Sequence, residues 1–108
     1  MAFTIKQGDA YTIPATIKFN GAAIAKADVD TVEFMIGENI RKLYPGEVIY
    51  DETEGKYLVP VTQQETFALE ADSTVPFDYR VKFVGGAVMG PKKMTYINVV
   101  DAVSTEVL

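Results

Sequence analysis

Apolar and polar residues alternate with a period of two along most of this chain. Between Tyr11 and Phe19 every second side chain is apolar, and most of the side chains between them are polar. Successive side chains of a β-strand point to opposite faces of the sheet, so this pattern predicts a half-buried strand. Pro14 cannot donate a backbone hydrogen bond, which predicts that the strand lies at a sheet edge or contains a bulge.

Similar segments follow, and residues typical of turns separate them. Gly37 follows one of these segments, Gly55 ends the polar stretch 51–55, and Gly85-Gly86 follows the most regular alternation in the chain. Apolar runs on both sides of such residues predict β-hairpins. The predicted strands are residues 11–19, 32–36, 40–43, 48–50, 56–61, 77–83, 87–89 and 93–100.

One segment predicts a helix. The Thr62 hydroxyl can cap a first helical turn, and Glu65 can reach back to the Thr62 amide, an arrangement known as a capping box. The helical turn near residues 62–69 is too short to be the crossover that joins neighbouring strands of a parallel sheet. The sequence therefore predicts a single all-β domain, residues 1–108, built as an antiparallel β-sandwich of about seven strands.

The composition excludes most kinds of catalysis. The 108 residues include no histidine and no cysteine, so a histidine base and a thiolate zinc site are both excluded. The net charge of -5 argues against a nucleic-acid surface, which needs clustered basic residues; Lys92-Lys93 is interpreted as the solvated start of a strand. The chain shows neither a signal peptide nor an apolar stretch near the roughly 18 residues of a membrane span. We predict no enzymatic activity, no cofactor and no metal site.

Two groups of carboxylates are the remaining candidates for metal binding or acid–base catalysis. Asp51, Glu52 and Glu54 could bind a hard cation such as calcium, whose ligands are oxygen atoms. The spacing of a known calcium loop is missing, so a solvated hairpin tip is the favoured interpretation. Asp28 and Asp30 could act as an acid and a base only if one were desolvated, and the polar side of a loop is favoured instead.

Aromatic residues and chain ends supply the candidate contact surface. Tyr57 is predicted to lie in the core, with its hydroxyl reaching a partner at the rim. Tyr44, followed by Pro45, is the aromatic residue expected to be most exposed and the best single contact candidate. The first segment, which contains Phe3 and Ile5, and the last strand are expected at sheet edges, where free backbone groups can pair with another chain.

Several short motifs occur in an order that resembles a known family. They are Ile5-Lys6-Gln7-Gly8-Asp9, Asn20-Gly21, Val32-Glu33-Phe34-Met35-Ile36, Thr62-x-x-Glu65-Thr66, and Phe77-Asp78-Tyr79-Arg80-Val81 ahead of a Gly-Gly hairpin. Over nearly the full chain they resemble the N-terminal immunoglobulin-like domain of tailed-phage baseplate upper proteins and related small tail proteins. The resemblance implies an immunoglobulin-like sandwich that is not an enzyme and that docks onto neighbouring tail proteins. No individual functional residue is carried over.

The resemblance and the missing catalytic residues lead to one expected function. We expect a structural protein of a phage or prophage virion, a tail or baseplate assembly module that is made in the host cytoplasm and acts through protein–protein contacts. Other tail or baseplate proteins are the expected partners, a homo-oligomer is a further option, and neither nucleic acid nor a membrane is expected. The alternative is a ligand-binding module, either carbohydrate-binding or an immunoglobulin-like domain of a cell surface.

Overall fold

The computed structural model of the chain describes residues 3–19 and 21–108, and it describes Phe3 through its backbone alone. These residues contain eleven strands, a 3-10 turn at Lys26–Asp28 and one short α-helix, α1 (Gln63–Phe67). The strands are β1 (Phe3–Lys6), β2 (Tyr11–Ala15), β3 (Lys18–Phe19), β4 (Ala22–Ala23), β5 (Val29–Ile36), β6 (Ile40–Tyr44), β7 (Ile49–Asp51), β8 (Lys56–Val61), β9 (Ser73–Phe83), β10 (Val88–Met89) and β11 (Thr95–Val100). In this part of the chain no helix is long and apolar enough to cross a membrane.

Most of the strands belong to two sheets. Sheet A has the strand order β1-β11-β9-β5-β6, and β10 also pairs with β9. Sheet B consists of β2, β8 and β7 in that order, while β3 and β4 form a separate hairpin. The three hairpins expected from the turn residues all form, since β5 pairs with β6, β7 with β8 and β9 with β10. The prediction of an all-β fold is confirmed.

The first strand departs from the predicted antiparallel arrangement. β1 runs parallel to β11, with Phe3 opposite Ile97 and Lys6 opposite Val100, so sheet A is mixed. A tight turn forces the two strands that it joins to run antiparallel, but β1 and β11 are far apart in the chain and no turn sets their relative direction. β11 itself lies between β1 and β9, so the prediction that the last strand lies at a sheet edge is wrong.

The two sheets share one hydrophobic core. The apolar phase of β5, which is Val32, Phe34 and Ile36, is almost fully buried, as the alternation predicted. The Phe34 ring of sheet A lies 6.1 Å from the Tyr57 ring of sheet B, so aromatic contacts join the two layers. The other buried apolar residues are Ile5, Ile13, Ala15, Ile17, Ile40, Val48, Val59, Val61, Leu69, Phe77, Val81, Ile97 and Val99.

The predicted strand 11–19 is divided into β2 and β3. The alternation survives the division, because Ile13, Ala15 and Ile17 are all buried. β2 pairs with β8 on one side alone, so Pro14 lies in an edge strand of sheet B, as its missing N–H predicted. The residues after Ala15 leave the β2–β8 register and turn into the small β3–β4 hairpin.

The helix α1 connects sheet B to β9 and joins the loop between β1 and β2. The predicted capping box is present: the Thr62 hydroxyl accepts from the Glu65 N–H at 3.1 Å, and the Glu65 carboxylate accepts from the Thr62 N–H at 2.9 Å. Thr66 is fully buried, and its hydroxyl accepts from the Gly8 N–H at 2.9 Å. Gly8 has a φ of +88°, and a Cβ at this position would lie 2.7 Å from the Phe67 ring, so the contact requires glycine.

A buried ion pair connects the edge of sheet A to the same helix. The Lys42 side chain is 8% exposed, and its Nζ lies 2.8 Å from the Glu65 carboxylate and 3.7 Å from that of Glu47. Burial by itself would raise the pKa of Glu65, but the hydrogen bonds from Lys42 and Thr62 outweigh it and leave that pKa below its ordinary value. The Glu65 carboxylate is therefore ionised near neutral pH, and the ion pair stabilises the packing of β6 against α1.

Candidate interaction surfaces

The predicted contact residues Tyr44 and Pro45 lie where the chain passes from sheet A to sheet B. Tyr44 is the last residue of β6, and the N–H of Val48 donates to the Leu43 carbonyl at 3.1 Å to close the loop before β7. Pro45 is exposed, but Tyr44 is half-buried. The prediction that Tyr44 is the most exposed aromatic residue is therefore wrong, because the Tyr96 side chain is 47% exposed. Tyr44 is covered because sheet B places another aromatic ring against it.

Tyr44, Tyr50 and Tyr57 form a tyrosine cluster between the two sheets. The Tyr57 ring meets those of Tyr44 and Tyr50 edge-on, at centroid distances of 5.0 and 4.8 Å. The Tyr57 hydroxyl is buried and has no hydrogen-bond partner among the residues described, so the prediction of a partner at the rim is wrong. Burial, and then the neighbouring Tyr44 and Tyr50, raise the pKa of Tyr57 to about 12. The hydroxyl is therefore neutral at physiological pH and cannot act as a base.

Two of the three carboxylates in the hairpin between β7 and β8, those of Asp51 and Glu52, have hydrogen-bond partners within the chain. The Asp51 carboxylate accepts from the N–H groups of Thr53 and Glu54, at 3.0 and 3.3 Å, and so shapes its own turn. Glu52 accepts from the Lys26 Nζ at 3.0 Å, and Lys26 also lies over the Tyr50 ring, 5.7 Å from its centroid. Across residues 3–19 and 21–108, no three potential ligands are grouped so that they could hold a metal ion.

The second pair of carboxylates, Asp28 and Asp30, lies before and within the first residues of β5. Both residues are exposed. The Thr31 hydroxyl donates to the Asp30 carboxylate at 2.9 Å. Neither carboxylate has the desolvated surroundings that acid and base catalysis requires, which agrees with the interpretation as the polar side of a loop.

The other two predicted contact residues, Phe3 and Ile5, belong to β1. β1 is the outer strand of sheet A, so its position at an edge agrees with the prediction. The Ile5 side chain is 2% exposed and packs in the core, so it offers no side-chain contact surface. The side chain of Phe3 lies outside the described residues. Any contact at Ile5 would therefore involve the strand backbone rather than the side chain.

An apolar surface that the sequence analysis missed covers the outer face of sheet B. Pro14, Leu58 and Ile49 stand side by side across its three strands, because Leu58 is the register partner of both other residues. Pro60 lies on the same face opposite Thr12. A shallow cavity of about 150 Å³ is lined by Thr12, Glu47, Ile49, Leu58 and Pro60. We call this surface the sheet B face. It is apolar although Ile49 is 60% exposed to solvent.

A signal for the sheet B face was present in the sequence. From Tyr57 to Val61 the strand β8 has five apolar residues in succession. A strand with one solvated face alternates, whereas a continuous apolar run indicates that both faces are covered. In the central strand β8, Leu58 and Pro60 are partly buried, whereas Pro14 and Ile49 in the flanking strands are exposed, so the apolar outer face of the sheet stays accessible.

The outer face of sheet A is charged instead. Glu33 lies between two arginines and accepts from Arg41 Nε at 2.6 Å and from Arg80 Nη2 at 2.8 Å. These hydrogen bonds, from Arg41 first and then Arg80, hold the pKa of Glu33 below its ordinary value of 4.5. We call this surface the sheet A face. Glu33, Arg41 and Arg80 satisfy one another across neighbouring strands without a partner protein.

No protein-family model matches the chain, and no curated protein matches it.

Proposed function

We propose that this chain is a structural protein of a phage or prophage virion, a tail or baseplate assembly module that acts through protein–protein contacts. The observation that carries the proposal is the sheet B face, an aligned apolar surface with Ile49 60% exposed. The solvated face of an antiparallel sheet is ordinarily polar, and an exposed apolar patch on a small domain marks a contact site. The family resemblance in the sequence supplies the virion setting.

The strand order supports an immunoglobulin-like assignment. In a variable-type immunoglobulin domain one sheet contains strands B, E and D, and the other contains G, F, C and C′ as neighbours. The order β2-β8-β7 corresponds to the first set, and β11-β9-β5-β6 corresponds to the second. β1 then corresponds to the first strand of such a domain, and it pairs with the last strand, β11, in sheet A. This correspondence supports the fold by analogy, and the assembly role itself rests on the sheet B face.

The edge strands of sheet B are poorly suited to pairing with a partner, so the outer face of this sheet is the better contact surface. β7 has three residues, and β2 contains Pro14, which lacks a backbone donor. Short edge strands and edge prolines hinder the addition of another strand. A partner that binds sheet B is therefore expected to cover its apolar face rather than to extend it.

Carbohydrate binding has less support. Stacking on a sugar needs an exposed aromatic face, but Tyr44, the ring that the sequence favoured, is half-buried against Tyr57. The exposed Tyr96 belongs to sheet A, and its register partner is Pro76 rather than another aromatic residue. A glycan array on which the chain bound a defined sugar, and still bound it after Tyr44→Ala, would contradict the assembly function.

The proposal can be tested in particles produced by the strain that encodes the chain. Purified virions are analysed by quantitative mass spectrometry after the gene is deleted and replaced by wild-type, Ile49→Lys or Thr53→Lys versions. Thr53 is exposed at a hairpin tip away from the sheet B face and serves as the matched control. We expect the wild-type and control chains in particles at equal copy number, and the Ile49→Lys chain to be reduced about tenfold, since a desolvated lysine weakens an apolar contact.

Two results would contradict the proposal in different ways. Absence of the wild-type chain from purified particles would exclude the virion function. Incorporation of the Ile49→Lys chain at the wild-type level would exclude the sheet B face as the contact that places it there.

A further inference from the structure

A cavity lined by lysines lies at one end of the molecule. β9 runs from Ser73 to Phe83, roughly 33 Å at the usual rise per residue, within a molecule whose longest extent is 46 Å. At the Phe83 end, the Phe19 ring lies 6.1 Å from the Phe83 ring and forms one wall of a cavity of about 500 Å³. The cavity is lined by Lys18, Phe19, Gly21, Met89, Pro91, Lys92 and Lys93. We call it the lysine cavity.

The lining of the lysine cavity combines positive charge with apolar surface. Lys18, Lys92 and Lys93 are exposed, Met89 is 39% exposed, and none of the described lining residues is acidic. The acidic hairpin between β7 and β8 contributes no residue to this lining, and its Glu52 is engaged by Lys26. A cavity of this size and composition suits a short segment that has both apolar and acidic side chains.

The opposite end of the molecule is acidic. Gln7 joins the loops there, since its N–H donates to the Val100 carbonyl at 3.0 Å and its side-chain amide to the Leu69 carbonyl at 2.8 Å. The hairpin glycine Gly37 faces Leu69, whose Cδ2 would lie 3.9 Å from a Cβ on that glycine. The acidic residues of these loops and of the segment that follows β11 are Asp9, Glu38, Glu70, Asp72, Asp101 and Glu106, and Lys6 is the basic residue beside them.

The segment 101–108 brings exposed apolar side chains to this acidic end. It has no regular secondary structure, and the Leu108 N–H donates to the Gln63 side chain at 3.0 Å, which holds it beside α1. Val103 and Leu108 are fully exposed, and Val107 is 55% exposed. Such side chains gain free energy when another surface covers them.

We infer that the segment 101–108 of one copy of this chain binds in the lysine cavity of a second copy, so that the copies associate head to tail. Val103 and Leu108 supply apolar side chains for the walls formed by Phe19 and Met89. The carboxylates of Asp101 and Glu106 meet the ammonium groups of Lys18, Lys92 and Lys93. A second copy is the occupant because the chain carries both complementary surfaces, one at each end.

The geometry of this contact has a further consequence. The two surfaces differ and lie at opposite ends, so each copy can bind one neighbour through its segment and another through its cavity, and repetition of this contact produces a ring or a filament. The inference goes beyond the proposed function, because it involves neither the sheet B face nor a virion partner. It holds whether or not the chain is part of a phage particle.

Charge reversal at each end provides the test. Sedimentation velocity of the full chain is measured over a concentration series, at about 25 mM and about 500 mM NaCl, since the higher salt screens exposed charges. The variants are Lys92→Glu with Lys93→Glu, and Asp101→Lys with Glu106→Lys. The control, Lys56→Glu with Lys82→Glu, has the same net charge as the first variant but changes no residue of the lysine cavity.

We expect the wild-type and control chains to associate at low salt and to dissociate at high salt. Each variant alone should associate about tenfold or more weakly, because its segment 101–108 and its lysine cavity then carry the same sign of charge. An equimolar mixture of the two variants should associate again, because each end then meets its opposite. A mixture that stays monomeric, a wild-type chain that stays monomeric at low salt, or a control that weakens as much as the variants would each overturn the inference.

Discussion

The outer faces of the two sheets cover the same core but are built in opposite ways. On the sheet A face, Glu33 is bound by Arg41 and Arg80 in neighbouring strands. On the sheet B face, the aligned residues of three neighbouring strands are Pro14, Leu58 and Ile49, and none of these side chains is charged. The charged face completes its interactions within the chain, whereas the apolar face gains from burial only when a partner covers it.

This difference separates the stability of the domain from its proposed contact. A cross-strand ion pair contributes to folding and is lost when a partner residue is changed. An apolar side chain that stays largely exposed contributes little to folding, because the native state removes only a small part of it from water. Substitutions on the sheet A face should therefore change the free energy of unfolding, whereas substitutions on the sheet B face should change the binding of a partner.

The largest effect on stability is expected on the sheet A face. Glu33→Gln should lower the free energy of unfolding by roughly 1 kcal/mol at neutral pH, because both arginines lose their charged acceptor while solvent still screens them. Because the native pKa of Glu33 is lowered, its contribution is fully present above the ordinary value of 4.5 and is lost as the pH falls through the lowered pKa. Urea denaturation of both chains at several pH values measures this difference.

Glu38→Gln, in the exposed β5–β6 hairpin, is the control for this measurement. It should leave the free energy of unfolding unchanged at neutral pH. If Glu33→Gln were as stable as the wild-type chain near pH 7, the ion pairs would make no contribution and the contrast between the faces would be wrong.

A smaller effect of opposite sign is expected beneath the sheet B face. Tyr57 points inward from β8, the strand that carries Leu58 outward, and its hydroxyl is buried without a partner. Tyr57→Phe should leave the free energy of unfolding unchanged or raise it by up to about 1 kcal/mol, because a buried hydroxyl without a hydrogen bond is unfavourable. Thermal and urea denaturation of the two chains measure the change.

Tyr79→Phe is the matched control, since the Tyr79 hydroxyl has a hydrogen bond with the backbone of Lys18. Its loss should lower the free energy of unfolding by about 1 kcal/mol. Equal destabilisation by both substitutions would mean that the Tyr57 hydroxyl is hydrogen-bonded in solution.

The smallest effect on stability is expected at Ile49, on the edge strand β7 of the sheet B face. Ile49→Lys should change the free energy of unfolding by less than about 0.5 kcal/mol, because the side chain is 60% exposed. The same substitution should strongly reduce incorporation into particles. A large loss of stability would show that Ile49 belongs to the fold rather than to a contact, and the two faces would then differ less than proposed.

Local features of the chain were predictable because neighbouring residues determine them. The alternation of Val32, Phe34 and Ile36 predicted a strand and its buried side, and the capping box of Thr62 and Glu65 predicted the start of α1. In both cases the relevant geometry involves residues a few positions apart. A strand's period and a first helical turn are properties of the local backbone.

The positions of the candidate contact residues were predicted less well. Tyr44 was expected on the surface because it precedes proline and glycine, but its exposure depends on Tyr57, which belongs to the other sheet. Ile5 was expected to contribute to an edge, and its strand does lie there, but the side chain points into the core. The run from Tyr57 to Val61 held the signal for the sheet B face, yet nothing in it identified Pro14 and Ile49 as the neighbours of Leu58.

By itself the sequence determined that the chain is all-β, which sides of its strands are buried, and that histidine and cysteine chemistry is absent. Only the tertiary structure decided that β1 pairs in parallel with β11, that three tyrosines meet between the sheets, and that one outer face is charged and the other apolar. Pairing and register depend on contacts between segments that are distant along the chain. Their free energies depend on how the whole core packs, which no short stretch of residues encodes.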